Sequence, residues 1–384
     1  MALAVHHGSD AALALRGMRA LLLVGGRGEV ERFNSVPLAL FDVLGRSVLL
    51  RTMDRLHEAG VAEISVLADC ASLASCVGPE HGKVITAEIF WEEALRDVRR
   101  LSHQSEAVFV VRLGGWAELD YAALAAHHRR RNAAVTRACL QHGEPLDVFL
   151  VSSAARSEAA ALLRGELRDE RIAPVLYKSD VYANRLESAA DLRHLVLDVF
   201  AGSSTIVPSG RQLRPGVWVG AGARIHRDAR LLAPAFVGNC CNVHRGAVVT
   251  RGSSMEHDCE LDCAAVLDNS SLLPNTRIGA GLDVEQAVVG LRHVYSLKHN
   301  VDVKVEDPRL VAATDQNSMR VLSAVYWLLS LLPGALWKLF FEAAQEVQAE
   351  NATTSALSQP ELAKIESESK AYREMAGARR YGDE

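Results

Sequence analysis

Residues 213–273 read LRPGVWVGAGARIHRDARLLAPAFVGNCCNVHRGAVVTRGSSMEHDCELDCAAVLDNSSLL, and a period of six runs through them. Stepping from Leu213 gives Val219, Ile225, Leu231, Val237, Val243, Val249, Met255, Leu261, Leu267 and Leu273, all large and apolar. Two residues before each from Ile225 onward lies a second series, Ala223, Ala229, Ala235, Cys241, Ala247, Ser253, Cys259, Ala265 and Ser271, all small, preceded in phase by the larger Val217. Two coherent series at one period mark a repeat architecture. The physical form is a three-sided parallel coil, a parallel β-helix with three hexapeptides per turn. Each large residue fills the interior from a short strand and each small one fits the adjoining corner, while stacked coils share one core and need capped ends. The phase slips near Leu272–Leu273, beyond which Ile278 and Val284 fall one residue early. Either one coil tightens there or the coil ends. Cys241 and Cys259, 18 residues apart, stack one coil over the next at about the ~4.8 Å strand spacing. That distance admits a disulfide, but their phase reads first as two packed thiols.

Outward from the repeat, the chain has 384 residues, 49% hydrophobic and 23% charged, enough for two or three domains. The formal net charge of −5 supplies no basic field for nucleic acid, so no nucleic-acid partner is expected. The run Arg129-Arg130-Arg131 reads as the solvated end of a helix. Residues 1–16 form an N-terminal tail without the features of a secretory signal. Seven cysteines without paired spacing indicate reduced thiols and a cytoplasmic location.

Between the tail and the repeat, Arg19–Val24 is an apolar strand ending in Gly25-Gly26-Arg27-Gly28. A helix over about 46–59, closed by Gly60, and a strand at Ile64–Ala68 follow. This order opens a parallel α/β sheet. Further along, Val108–Leu113 reads as a strand ending in Gly114-Gly115, Leu119–Arg131 as a helix and Ala134–Leu140 as a strand. A Gly-rich turn alone serves mostly to reverse the backbone, and less often to cradle a phosphate.

The order of these segments is more specific. Residues 20–28, then Pro37 to Val43-Leu44-Gly45-Arg46-Ser47-Val48-Leu49, then Leu56 to Ile64, resemble the start of a sugar-1-phosphate nucleotidyltransferase. Residues 108–136, with His127-His128 before a strand, are similar to that family's central segment. The family makes nucleotide-sugars from a nucleoside triphosphate and a sugar phosphate, and many members carry a C-terminal hexapeptide β-helix. The resemblance implies an α/β nucleotidyltransferase-like (Rossmann-like) domain over about 17–200. It also implies a left-handed parallel β-helix over about 205–295; the handedness comes from the family, not from the period. It places nucleotide binding at Gly25, Gly26, Gly28 and Arg32, in nucleotide-sugar or surface-polysaccharide metabolism.

The departures from the family fall on its chemistry. The Gly-rich loop is about two residues short and continues Glu29-Val30-Glu31, leaving Arg32 as the nearby basic residue. Leu38 stands where the family carries a phosphate-binding lysine. Gly114-Gly115 stands where it carries Gly-Asp, the Asp binding Mg²⁺, and around Tyr182–Leu186 only Asp180 and Asn184 lie close to a second metal-binding position. In-line attack on a triphosphate needs cations to neutralise the spreading charge. Losing one such clamp costs ~10²–10³ in rate. The expectation is therefore a protein with a degenerate active site that binds a nucleotide or sugar phosphate, or regulates or scaffolds an assembly. No catalytic residue and no metal ligand is assigned, and Mg²⁺ is expected as a cofactor only if the protein is catalytically active.

Alternatives stay open: a divergent working nucleotidyltransferase using Arg32 and other acidic groups, or an acyltransferase on the coil. The coil offers His226, His244, His257, His293 and His299, with no partner carboxylate identifiable for a general base. Cys240, Cys241, Cys259 and Cys263 lack zinc spacing.

Residues 310–350 form an apolar helical segment, and Val321–Phe341 carries a single charge, Lys338, with Pro333-Gly334 dividing it. It reads as a helix pair packing on the coil or at a subunit interface, as a membrane-surface anchor with Tyr326, Trp327 and Trp337 at the interface, or as a span. A homo-oligomer with membrane-surface contact is an expectation here. Residues 351–384 are a polar tail.

Overall fold

The computed structural model describes residues 15, 17–25, 32–69, 82–84, 86, 89–154, 174–250 and 252–314. The N-terminal tail (apart from Leu15), Gly26, Gly28, the Val321–Phe341 segment and the polar tail lie outside the described residues.

The first sheet forms because apolar runs, bounded by glycine or polar turns, are covered on both faces. In chain order its region comprises β1 (Arg19–Val24), the small β2–β3 hairpin (Arg32–Phe33, Val36–Pro37), α1 (Val48–Glu58), β4 (Glu63–Ala68) and β5 (Gly82–Val84). It continues with α2 (Phe90–Ser102), β6 (Ala107–Arg112), β7 (Gly115–Ala117), α3 (Tyr121–Arg131), β8 (Val135–Leu140), β9 (Pro145–Ser152), β10 (Val175–Ser179), β11 (Ala183–Arg185) and α4 (Ala189–Ala201). Ser47 caps α1 and Asp120 caps α3, each side chain accepting a backbone N–H of the first turn.

Seven strands line up in the order β10-β8-β9-β6-β1-β4-β5. All pairings are parallel except those of β9, which runs antiparallel to β6 and β8. The expected parallel opening is present, but the sheet is mixed, because Gly143 at φ +96° closes a tight β8–β9 hairpin. Alternate residues of β1 feed two cores. Ala20, Leu22 and Val24 pack with α1, α3 and α4, while Leu21 and Leu23 pack with Phe90, Leu95 and Val98 of α2.

Beyond residue 210 the chain visits three further parallel sheets in strict rotation. Val217–Val219 pairs with Ala235–Val237, which pairs with Ser253–Met255; Arg224–Ile225 pairs with Asn242–Val243, which pairs with Glu260–Leu261; Arg230–Leu231 pairs with Val248–Thr250, which pairs with Val266–Asp268. Every one of these pairings joins residues eighteen apart. Both periodic series point inward here: Val237, Val243, Val249, Met255, Leu261 and Leu267 are buried, as are Ala235, Cys241, Ala247, Ser253, Cys259 and Ala265. Each fully buried aliphatic contributes about 1.5–3 kcal/mol of apolar transfer.

The phase slip is a tightening, not an end. Thr250 pairs with Asp268, eighteen residues on, but Ser254 pairs with Ser271, seventeen on, and the later pairings keep seventeen. Gly252 and Asn269 occupy equivalent left-handed corners, so the missing residue lies between Asp268 and Asn269. Two members of the large series are thereby reassigned. Leu272, not Leu273, follows Met255 into the coil interior, while Leu273 packs into the α/β core. Leu213 is 52% exposed, on a strand (Arg211–Arg214) that pairs antiparallel with Val217–Val219.

Antiparallel strands also extend the other end: His293–Ser296 and Val301–Lys304 on one sheet, and Val311–Ala313 against Thr276–Ile278 on another. Residues 311–313 are thus a strand where the sequence pattern predicts the start of a helix; the ladder hydrogen bonds of the last coil outweigh local apolar propensity.

The coil and the α/β part belong to one compact unit. Phe236, Leu273 and Val288 from the coil are buried in the larger α/β core. Among the described residues, no helix is long and apolar enough to cross a membrane.

Candidate functional site

Open α/β sheets bind ligands outside the carboxyl ends of their strands, where the strand order reverses. Here β1 lies between β4 and β6, so the reversal falls at the ends of these three strands, at Gly25, Asp69 and the Leu113–Gly115 turn. Gly25 takes φ +99°, and a β-carbon there would lie 2.1 Å from Asp69 Oδ1, so only glycine lets the two strand ends meet. The Asp69 carboxylate faces the start of the Gly-rich turn.

Arg32 stands beside it. Its Nη2 donates to Asp69 Oδ1 at 2.5 Å, and its Nη1 donates to the Ser35 carbonyl at 2.8 Å. The Asp69 side chain is 2% exposed and that of Arg32 14%. The sequence-predicted phosphate clamp is therefore at the turn, with its charge balanced by a buried carboxylate. Of the other residues expected to contact a nucleotide, Gly25 directly follows β1, while Gly26 and Gly28 fall outside the described residues. Asp69 escaped the sequence reading. Its signal was its position, the first residue after a strand flanking β1.

On the other side of the reversal point lies a cavity of about 360 Å³, walled by the end of β6, the β8–β9 hairpin and β11. Its charged groups are already matched. Arg112 makes a bidentate pair with Asp147 (Nε 3.0 Å to Oδ2 and Nη2 2.8 Å to Oδ1), Arg137 reaches the same carboxylate at 3.3 Å, and Arg185 pairs with Glu144 at 2.5 Å. Such planar forks can exchange a carboxylate for a phosphate. Asn184 Oδ1 is buried at this wall without a hydrogen-bond partner. Asn184, which sequence reasoning placed only near a metal-binding position, pairs with Trp116 across the β7–β11 ladder, one residue from Gly115.

That pairing limits the space at Gly115. A β-carbon on Gly115 would lie 2.8 Å from the Asn184 carbonyl oxygen. The backbone of β11 occupies the space a carboxylate-bearing side chain would need, so a Mg²⁺ ligand does not fit at this point. His128, from the segment similar to the family, is buried and hydrogen-bonded through Nδ1 to Thr136 Oγ1 at 2.8 Å. Burial pushes its pKa down to about 4, so it is a neutral packing group.

The coil's histidines do have carboxylate neighbours, which the sequence did not disclose. His244 contacts Glu260 at 2.8 Å, His257 contacts Asp258 at 2.9 Å and lies 3.7 Å from Asp42, and His293 contacts Asp302 at 3.0 Å. Cys241 and Cys259 are free buried thiols donating to the carbonyls of Glu256 and Leu273.

The Glu256-His257-Asp258 corner holds the two parts together. Leu44 and Gly45 both take left-handed conformations (φ +54° and +89°), turning two successive N–H groups toward one point. Glu256, 1% exposed, accepts both, at 2.9 and 2.7 Å. Burial, reinforced by the Asp42 charge, lifts its carboxyl to about 8 against the pull of those N–H donors and Arg51.

No family model matches this chain, and no curated protein matches it significantly.

Proposed function

We propose that this is a nucleotidyltransferase-like protein that binds a nucleotide or sugar phosphate at the carboxyl ends of β1, β4 and β6 and does not catalyse nucleotidyl transfer. Its role is binding, regulation or scaffolding in nucleotide-sugar or polysaccharide metabolism. The three-sheet coil is read as a left-handed parallel β-helix. The observation that carries the proposal is the Arg32–Asp69 pair, in which a buried carboxylate balances the guanidinium beside the Gly25 turn. The steric closure at Gly115 supports it, because the family's metal-binding carboxylate has no room there. Phosphate binding without turnover asks less of a site: it needs N–H donors and exchangeable guanidinium groups, not a metal aligned with a leaving pyrophosphate.

The test is direct. Purified protein with Mg²⁺, the four nucleoside triphosphates and several hexose 1-phosphates should release no pyrophosphate above a blank. Titration of the same ligands should show saturable binding that Arg32→Ala weakens by about 1–3 kcal/mol. Pyrophosphate release that disappears in both Arg32→Ala and Asp69→Asn would overturn this reading in favour of a divergent enzyme. The position of Asp69, facing Gly25, is the observation that favours that second reading.

A further inference from the structure

On one outer face of the coil, three potential ligand atoms converge: an imidazole nitrogen of His244, a carboxylate oxygen of Asp262 and the Cys263 sulfur lie within 4.8 Å of one another. They are the only such group of three among the described residues. The coil itself produces the convergence. His226, His244 and Asp262 each follow an inward aliphatic at eighteen-residue spacing, and each donates its N–H to the next coil, which stacks their side chains in one column. The next column holds Arg227, Arg245 and Cys263. The two arginines are largely exposed, so nothing about packing calls for a small thiol at this position. Cys241 and Cys259 fill interior corners; Cys263 is exposed and outside that phase.

We propose that His244, Asp262 and Cys263 bind a thiophilic divalent cation of the Zn²⁺ class, bracing two successive coils and leaving a fourth position to water. Nitrogen, oxygen and sulfur donors together select a borderline-soft ion over Mg²⁺ or Ca²⁺. Asp262 accepts hydrogen bonds from the Arg277 guanidinium and from the Cys263 backbone N–H, the latter at 2.7 Å. Arg277 Nη2 sits 2.8 Å from Asp262 Oδ2, while its Nε is 3.6 Å from Glu260 Oε2. It keeps an anionic partner when Asp262 turns to the metal. Glu260, in turn, holds His244 through Nε2 at 2.8 Å and fixes the ring's orientation. Binding breaks the Cys263 S–H bond, forms a metal–sulfur bond and releases one proton to solvent, with no change of oxidation state.

The experiment uses the full chain, stripped with a chelator and titrated with ZnCl₂ and separately with CoCl₂. The expected result is one equivalent of Zn²⁺ bound with release of a proton, and a sulfur-to-cobalt charge-transfer band with Co²⁺. Cys263→Ser should abolish the band, and Cys263→Ser and His244→Ala should each weaken Zn²⁺ binding ~10-fold or more. Cys240→Ser, at another exposed corner, should change neither. Zn²⁺ should raise the Tm of the wild-type chain by mass action and leave that of Cys263→Ser unmoved. No stoichiometric uptake, or a band and affinity that survive Cys263→Ser, overturns the site.

Discussion

Glu256 shows how much one side chain can decide. It arises from a coil corner and fills the pair of N–H groups that Leu44 and Gly45 present, in a space also faced by Asp42, Arg46, Arg51 and His257. Its carboxyl is lifted from an ordinary 4.5 to about 8, so the folded chain holds this proton more tightly than the unfolded chain does. The associated stability is full below about 4.5 and is lost as pH rises through about 8. Asp42 shifts in the same direction, again through burial, and adds to the slope. Urea unfolding between pH 5 and 8.5 should therefore show stability falling with pH, and Glu256→Gln should flatten most of that fall. A wild-type profile that is flat or rising would refute the assignment.

Among the elements, α4 is informative because it is tied to the coil at its irregular point. Arg193 is buried and faces no carboxylate; its guanidinium donates to the Gly252 carbonyl (2.9 Å), Ser271 Oγ (3.1 Å) and Asn269 Oδ1 (2.9 Å). These acceptors flank the corner that is one residue short, and desolvation lowers the arginine's pKa to about 10. Arg193→Leu leaves three acceptors without their donor and should cost about 2–4 kcal/mol in chemical denaturation. Hydrogen exchange should rise first in α4. The period of six showed a phase slip near 272, but not whether a coil tightened or ended there, nor that a distant helix grips the shortened corner. Likewise, α1, β4, β6, α3 and β8 were legible to within two residues from their caps and apolar runs. β9 was not, because its antiparallel direction depends on a hairpin whose strands pair only in the assembled sheet.

At the scale of the molecule, the α/β part and the coil share buried groups. Phe236, Leu273 and Val288 lie in the α/β core, Phe200 stacks on Trp218 at 5.8 Å, and Glu256 and Arg193 bridge the same boundary. Stripping these contacts from either side would leave buried charges and apolar surface exposed to water. The two parts should therefore unfold in one transition. With single-tryptophan variants retaining Trp116 in the α/β part or Trp218 in the coil, the denaturation curves should coincide. Two separated midpoints would show independent domains.

The sequence by itself determined the period of short strands, most of their inward residues and the strand–turn–helix–strand opening. These are local patterns, in which side-chain period and turn chemistry fix the outcome within a few residues. Only the tertiary structure decided that Asp69 neutralises Arg32, that the Asn184 carbonyl closes the space at Gly115, and that Leu273 leaves the coil for the neighbouring core. Those depend on which strand ends and corners meet across long stretches of chain, and residue order carries no direct record of such distances.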